Sequence, residues 1–293
     1  MTARIIDGNA IAAEVRAGVA EQVRSHLAAG GRQPQLTAAL VGDDPASHTY
    51  VRNKTRACDE VGIASDTLKL PADASMGELL ARIEDLNASP RVSGILVQMP
   101  LPPQLDEGAA MLAIDPRKDI DGLHPESLGR LLAGAPTFVP ATPSGVQQLL
   151  LRSGHDPAGK RVVIVGRSTL VGKPLAMLLG NKAEGANATV TIAHTGTVDL
   201  GAVTREAEIL VVAAGRSDTI TAEMVRPGAV VIDVGMNRVD DPSRKRGYRL
   251  AGDVEFEGVS QVASAITPVP GGVGPMTVAM LLVNTLRAAE EQA

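Results

Sequence analysis

Short apolar runs alternate with helical stretches along most of this chain, and this alternation limits the folds available to it. Residues 36–41, 93–98 and 161–165 have the length and apolar content of strands buried on both faces. Residues 10–29 instead repeat apolar side chains at every fourth position, as one face of a helix does. Strands that alternate with helices predict parallel sheets covered by helices.

The length of the chain and one proline-rich stretch predict two domains. A chain of 293 residues is long for one core, and the pattern loosens between residues 100 and 143. We expect an α/β fold with two domains, each a mostly parallel sheet with flanking helices, at residues 1–140 and 141–275. The second is expected to be Rossmann-like, because it repeats strand and helix after a glycine-rich turn. The apolar helix 276–293 is expected to pack back on the first domain.

Composition argues against several classes of partner. The net charge is −5 and aromatic residues make up 1% of the chain, so contact with nucleic acid is not expected. No apolar stretch is long enough to suggest a membrane span. Cys58 is the single cysteine and the five histidines are scattered, which predicts a cytoplasmic protein without a disulfide or a metal site.

A glycine-rich turn at residues 166–174 follows the apolar run 161–165 and precedes a helix. Such a turn directs backbone N–H groups at a phosphate. The next strand ends in His194 and Thr195, where an NAD site would normally have a carboxylate for the ribose. With Arg167 and Ser168 in the turn, this pattern favours NADP. A plain βα turn with a solvated Arg167 is the alternative.

Three polar residues suggest proton chemistry in the first domain. Tyr50 and Lys54 are four apart on a predicted helix, for which Ser47 is the expected cap. Gln98 ends an apolar strand, at the edge where α/β proteins form their sites. A solvated helical pair is the plainer interpretation of Tyr50 and Lys54. Short-chain dehydrogenases share this spacing, but there the pair follows the cofactor turn.

Two further loops have unusual composition. Asp119 and Asp121 lie two residues apart, and we interpret them as hydrogen-bonding groups for a ligand rather than a cation site. Residues 266–277 are rich in proline and glycine, which indicates an unusual backbone path in which an X-Pro bond can be cis.

Six segments together resemble the methylenetetrahydrofolate dehydrogenase/methenyltetrahydrofolate cyclohydrolase family, and they are residues 47–62, 94–102, 119–125, 166–174, 232–237 and 266–277. The resemblance implies oxidation of 5,10-methylenetetrahydrofolate with NADP, then hydrolysis to 10-formyltetrahydrofolate, in one-carbon metabolism and purine biosynthesis. It also implies a homodimer joined through the nucleotide domain, and an active site in the cleft between the two domains.

The resemblance also implies residue roles. Lys54, Tyr50 and Gln98 would be catalytic, with Lys54 handling protons when neutral. Asp121 would hold the pterin ring, and the other implied folate contacts are Tyr50, Pro270 and Gly271. The implied NADP contacts are Gly166, Arg167, Ser168, Thr195 and Met236. Many relatives have Ser where Thr195 stands.

Three other functions remain open from the sequence. The chain could keep only the dehydrogenase reaction, or act as a folate or nucleotide sensor that never turns over. It could also be a short-chain alcohol dehydrogenase, which the order of the motifs disfavours.

Overall fold

The computed structural model describes residues 2–244 and 247–292, and it divides the chain into two compact units. The N-terminal unit comprises Ala13–Ala141 and Val278–Ala293, and the C-terminal unit comprises Met1–Ala12 and Thr142–Thr277.

Eleven strands and ten α-helices are defined within the described residues. The strands are β1 (Arg4–Ile5), β2 (Gln35–Val41), β3 (Ala64–Leu70), β4 (Gly94–Val97), β5 (Arg161–Val165), β6 (Thr189–Ala193), β7 (Ile209–Val212), β8 (Val230–Asp233), β9 (Asn237–Asp240), β10 (Tyr248–Ala251) and β11 (Ala265–Ile266). The helices are α1 (Gly8–Ala28), α2 (Pro45–Val61), α3 (Met76–Ala88), α4 (Glu107–Leu112), α5 (Pro125–Leu132), α6 (Ala141–Arg152), α7 (Gly172–Gly180), α8 (Leu200–Thr204), α9 (Phe256–Val262) and α10 (Val273–Glu291).

The N-terminal unit is built on a three-stranded parallel sheet in the order β3-β2-β4. The central strand β2 is buried along almost its whole length, as a strand covered on both faces must be. On one face, Ile95 and Val97 of β4 pack with Leu79 and Ile83 of α3. The packed sheet therefore holds the carboxyl ends of β2 and β4 in fixed positions.

Helix α2 begins three residues earlier than the sequence analysis expected. Asp44, and not Ser47, is the N-cap, because its carboxylate accepts a hydrogen bond of 2.7 Å from the Ser47 N–H. Pro45 takes the first helical position, where its fixed φ costs nothing. The helix ends at Gly62, whose φ of 78° is left-handed.

The C-terminal unit is built on a six-stranded parallel sheet in the order β1-β11-β8-β7-β5-β6. An antiparallel hairpin of β9 and β10 follows β8. The expected two-domain α/β architecture with parallel sheets is confirmed. Strand β1 differs from the expected limits, since it pairs with β11 and lies in this sheet and not with the rest of residues 1–140. Its backbone groups pair with a strand 261 positions further along the chain, a contact that no local pattern reveals.

None of the helices within residues 2–244 and 247–292 combines the length and the apolar character that crossing a bilayer requires.

Candidate active site

Lys54 and Gln98, which the sequence analysis selected separately, are in contact in the N-terminal unit. The Lys54 Nζ atom donates to Gln98 Oε1 at 3.1 Å. The Gln98 amide is oriented from its other side, because Nε2 donates to the Met99 carbonyl at 2.7 Å. The Gln98 backbone N–H extends the sheet by donating to the Ala39 carbonyl at 2.9 Å. A buried amide thus presents its oxygen, and not its nitrogen, to the amine.

The surroundings of Lys54 favour the neutral amine more than water does. Burial lowers the pKa of Lys54, while the negative charge of Asp121 acts in the opposite direction. Cys58, one helical turn further along α2, is buried, and desolvation raises the pKa of its thiol to about 12. Since that thiol is uncharged near neutral pH, Asp121 is the anion that acts on Lys54.

Residues 118–122 form the loop that carries Asp121, and its first residue anchors it. Lys118 is buried and donates from Nζ to the carbonyls of Leu86, Asn87 and Ser89 at 3.0, 2.8 and 2.7 Å. These carbonyls lie at the end of α3. The last carbonyl groups of a helix have no hydrogen-bond partner within the helix, so they stabilise a cation.

Asp119 is a structural residue, which corrects our interpretation of it as a ligand-binding group. It is fully buried, and its carboxylate accepts from the Leu123 and His124 N–H groups at 3.2 and 2.8 Å. The Ser127 hydroxyl donates to it at 2.7 Å. With its acceptor positions used inside the loop, Asp119 holds the chain from β4 into α5.

Asp121 differs from Asp119 in its surroundings. Asn284 of α10 secures the backbone beside it, since Nδ2 donates to the Ile120 and Val139 carbonyls at 2.8 and 2.9 Å. Gly122 follows with a left-handed φ of 71°, and an added Cβ would lie 2.7 Å from the Pro140 nitrogen. Desolvation raises the pKa of Asp121 to about 6, although the nearby Lys54 lowers it. Asp121 is therefore a carboxylate that gains stability when a ligand hydrogen-bonds to it.

Tyr50 lies one turn before Lys54 on α2, on the same helical face. Its side chain is 44% exposed, so a ligand can reach it. Cys58 continues this face at the same spacing, although no role at the site was predicted for it. The repeated step of four residues was the available signal.

In the C-terminal unit, the turn after β5 allows unusually close backbone approach. Gly166 has a φ of 130°, and an added Cβ would overlap the Ala213 carbonyl. An added Cβ at Gly172 would overlap the Gly166 carbonyl in the same way. Only glycine fits these two positions, and α7 begins directly behind the turn. The turn therefore fits a bound diphosphate, because its backbone can approach a ligand closely beside a helix N-terminus.

Polar side chains meet where β5 and β6 end. The Arg167 Nη1 atom lies 3.3 Å from His194 Nε2, a contact the sequence analysis did not anticipate. Ser168 Oγ accepts from the Val171 N–H at 3.1 Å, which leaves its hydroxyl hydrogen able to donate elsewhere. Arg167, Ser168 and Thr195 are exposed. The ends of β5 and β6 therefore expose hydrogen-bond donors to solvent.

Two buried carboxylates, Asp233 and Asp253, join the loops that follow β7 and β8. The sequence did not predict a role for either of them. Asp233 accepts from the N–H groups of Gly235, Asp253 and Val254 at 2.9, 2.9 and 3.0 Å. Burial raises its pKa to about 6 in spite of these bonds. Neither lies in a motif that indicates such a role, because their partners are backbone groups distant in sequence.

Asp253 completes this network. It is fully buried and accepts from the Ala214 and Gly215 N–H groups at 2.6 and 2.8 Å. The Asn237 side chain donates to its other oxygen at 2.8 Å. Met236, which the sequence analysis assigned to the cofactor, lies between these anchored residues and is 42% exposed.

Pro270 and Gly271 lie in the loop between β11 and α10. The Val269–Pro270 bond is cis, as the sequence allowed, and Met99–Pro100 in the other unit is cis as well. Gly271 has a φ of 104°, and an added Cβ would lie 2.8 Å from Asn9 Nδ2. The roles of Pro270 and Gly271 in folate binding stay predictions.

Comparison with known proteins places this geometry in a family. Residues 6–121 match the model of the tetrahydrofolate dehydrogenase/cyclohydrolase catalytic domain, and residues 140–293 match that of the NAD(P)-binding domain. The chain belongs to the tetrahydrofolate dehydrogenase/cyclohydrolase family. The resemblance seen in the sequence is thereby confirmed.

Individual members of this family match along the whole chain. A bifunctional protein FolD from Chlorobium limicola is 54% identical over 288 residues, which cover 98% of this chain and 97% of that protein. The crystal structure of the bifunctional enzyme from Campylobacter jejuni has a TM-score of 0.92 and 42% identity, over 99% of both chains. The Trypanosoma brucei enzyme, complexed with NADP and an inhibitor, has a TM-score of 0.93 and 40% identity, over 99% of this chain and 98% of that one.

The buried network of Asp253 predicts a double-mutant result. Asp253→Asn places an amide nitrogen against that of Asn237 or against backbone N–H groups, so we expect the free energy of unfolding to fall by roughly 1–3 kcal/mol. Asn237→Asp alone brings two carboxylates together and should also destabilise. Urea denaturation measures both.

The two changes combined restore a donor and an acceptor across this contact. We expect the double variant to be more stable than the sum of the single effects predicts, by about 1 kcal/mol or more. Strictly additive effects would show that the contact between Asp253 and Asn237 does not contribute to stability.

Proposed function

We propose that this chain oxidises 5,10-methylenetetrahydrofolate to 5,10-methenyltetrahydrofolate with NADP and hydrolyses the product to 10-formyltetrahydrofolate, using Lys54, Gln98 and Tyr50. The catalytic-domain and NAD(P)-binding-domain models that match the chain support both reactions. The contact of the Lys54 amine with the buried Gln98 amide carries the assignment of residues. The sequence expectation of a cleft between the domains stays a prediction.

The oxidation needs binding and orientation more than proton transfer. A hydride leaves the methylene carbon with its electron pair, and the carbon becomes the methenyl cation, which is stabilised by the two adjacent nitrogens. NADP, when bound, accepts this hydride. We assign Asp121 to the pterin ring, whose N–H and amino groups can donate together to one carboxylate. The residue's raised pKa and fixed loop support this assignment.

The hydrolysis does require proton transfer. Water adds its oxygen to the methenyl carbon and loses one proton. The bond from that carbon to N5 then breaks as the added hydroxyl loses its own proton and becomes the formyl oxygen, while N5 takes up a proton. Cleavage of the bond to N5 leaves the formyl group on N10, and one proton is released overall. We assign the first transfer to neutral Lys54, because burial lowers its pKa toward the range in which an amine acts as a base.

The roles of Gln98 and Tyr50 follow from position. Gln98 Oε1 accepts from Lys54 and so directs the amine's lone pair and remaining hydrogens. Tyr50 is exposed on the same face of α2 and is assigned to contact the folate.

Replacing Lys54 separates the two reactions. In Lys54→Met we expect methenyltetrahydrofolate hydrolysis to fall by about a hundredfold or more, because general base assistance is lost. Reduced-cofactor formation from 5,10-methylenetetrahydrofolate should stay appreciable, since a hydride transfer needs no base. Both reactions are followed by absorbance.

Lys69→Met is the matched control, because Lys69 is an exposed lysine in β3 of the same unit. It should keep both activities. Hydrolysis that survives in Lys54→Met would refute the role of Lys54, and absence of both activities in the wild type would refute the proposed function.

The pKa of Asp121, raised to about 6, predicts a pH dependence of folate binding. The carboxylate is ionised above this pH and accepts two hydrogen bonds, whereas below it the acid form presents a donor to the pterin. The KM for 5,10-methylenetetrahydrofolate should therefore rise below pH 6, approaching about tenfold per pH unit. Initial rates between pH 5 and pH 8 measure this.

Asp121→Asn should have a high KM at every pH and lack this dependence. Asp66→Asn serves as the control, because Asp66 is exposed on β3 and should leave the wild-type profile unchanged. A wild-type KM that is constant from pH 5 to pH 7 would contradict the assignment of Asp121.

We further propose that the protein is a homodimer joined through its C-terminal unit. Strand β6 lies at the edge of the six-stranded sheet, where unpaired backbone groups can pair with another chain. Ile192 on this strand is 38% exposed, and Val198 beyond it is fully exposed. Apolar side chains beside an open edge support contact with a second copy.

Light scattering after size exclusion tests this assembly. The wild type should have twice the mass of the chain, and Ile192→Lys should shift the protein toward the monomer. Leu132→Lys, which adds the same charge at a side chain 64% exposed in the N-terminal unit, should remain dimeric. A monomeric wild type would refute the proposal.

We infer a cytoplasmic setting and a link to purine biosynthesis, as the family resemblance implies. The free, buried thiol of Cys58 suits a reducing compartment. Nucleic acid as a partner stays unexpected on charge and composition.

A further inference from the structure

We propose that His194 determines cofactor specificity by donating a hydrogen bond from Nε2 to the phosphate monoester that NADP has and NAD lacks. This inference rests on the proposed NADP-dependent function. His194 lies directly after β6, outside the set of residues that the sequence analysis selected for the cofactor.

The tautomer of His194 follows from its own turn. The Gly196 N–H donates to His194 Nδ1 at 3.1 Å, so this nitrogen must present its lone pair. In a neutral imidazole the single ring hydrogen is then on Nε2. The turn thus makes Nε2 a donor.

The contact with Arg167 is consequently one between two donors. Arg167 Nη1 lies 3.3 Å from His194 Nε2, and a guanidinium has no acceptor. Neither group satisfies the other, and both N–H bonds are available to an oxygen placed beside them. An anion with several acceptor oxygens resolves this arrangement, because it accepts from both groups at once.

Ser168 provides a further donor in the same turn. Ser168 Oγ already accepts from the Val171 N–H, so its hydroxyl hydrogen can point to an anion. Strands β5 and β6 pair in parallel with Val165 opposite Ala193, which places Arg167 and His194 at neighbouring strand ends. A phosphate monoester with its three terminal oxygens fits this group of donors.

The backbone that carries the imidazole is fixed before any ligand binds. The His194 N–H donates to Thr197 Oγ1 at 2.9 Å, and the Thr197 N–H donates to the His194 carbonyl at 2.8 Å. At Gly196 an added Cβ would lie 3.2 Å from His194 Cε1, so the glycine leaves room for the ring. A donor fixed in this way loses little entropy on binding.

His194→Asn provides a selective test. The Asn side-chain oxygen can replace Nδ1 as the acceptor for Gly196, while nothing replaces the Nε2 donor. Isothermal titration calorimetry with NADP and with NAD measures the two dissociation constants. We expect the Kd for NADP to rise about tenfold, as for loss of one hydrogen bond to a charged group, and the Kd for NAD to change less than about twofold.

His155→Asn is the matched control, because His155 lies in the same unit before β5 and contacts Arg4 rather than the turn. It should leave both dissociation constants unchanged. Methenyltetrahydrofolate hydrolysis should also be unchanged in His155→Asn.

The remaining outcomes distinguish failure of this inference from failure of the proposed function. An unchanged ratio of the NADP and NAD constants in His194→Asn overturns the inference, and so does equal weakening of both, which would indicate a structural role of the turn. A wild type that binds neither nucleotide, or that does not turn over folate, would instead refute the proposed function.

Discussion

The burial of one amine beside one amide is the interaction on which the proposed chemistry depends. Removing the Lys54 ammonium from water is costly, and a single neutral acceptor, Gln98 Oε1, compensates for only part of this cost. If Asp121 were also in direct ion pairing with Lys54, the amine would stay charged and could not act as a base. The structure instead gives both groups shifted pKa values, Lys54 lowered and Asp121 raised to about 6, so each is closer to its neutral form than in water.

This balance depends on rigid supports that have no chemistry of their own. Asp119, Lys118 and Asn284 use their polar atoms on backbone groups and so fix the loop from which Asp121 projects. In the C-terminal unit, Asp233 and Asp253 do the same for the loops after β7 and β8. Buried charged residues are costly unless they are fully hydrogen-bonded, and here most of the partners are backbone N–H or carbonyl groups. In both units, therefore, buried polar residues hold the loops at the carboxyl ends of the strands.

How much could be predicted from sequence depends on whether the cause is local. Strand β5 was predicted with the bounds the structure has, because a continuous apolar run followed by a glycine turn is a local signal. Lys54 and Gln98 were each predicted from a local feature, a helix spacing for Lys54 and a strand end for Gln98, and the structure brings them together. Asp44 was missed as a cap because Ser47 competes with it in the same short stretch, and the fixed φ of Pro45 decides the start.

Other features could not be predicted because their partners are remote. Asp119 and Asp121 look alike in the sequence. The Asp119 carboxylate, however, is satisfied by Ser127 and nearby N–H groups, whereas the Asp121 carboxylate is desolvated near Lys54 and its pKa is raised to about 6. Strand β1 pairs with a strand near the other end of the chain. His194 shows the same limit most clearly. A histidine in the sequence indicates neither which ring nitrogen carries the hydrogen nor where the imidazole points. The Gly196 N–H on Nδ1 is what makes Nε2 a donor, and the guanidinium facing Nε2 is a second donor, so an oxygen placed beside them can accept from both.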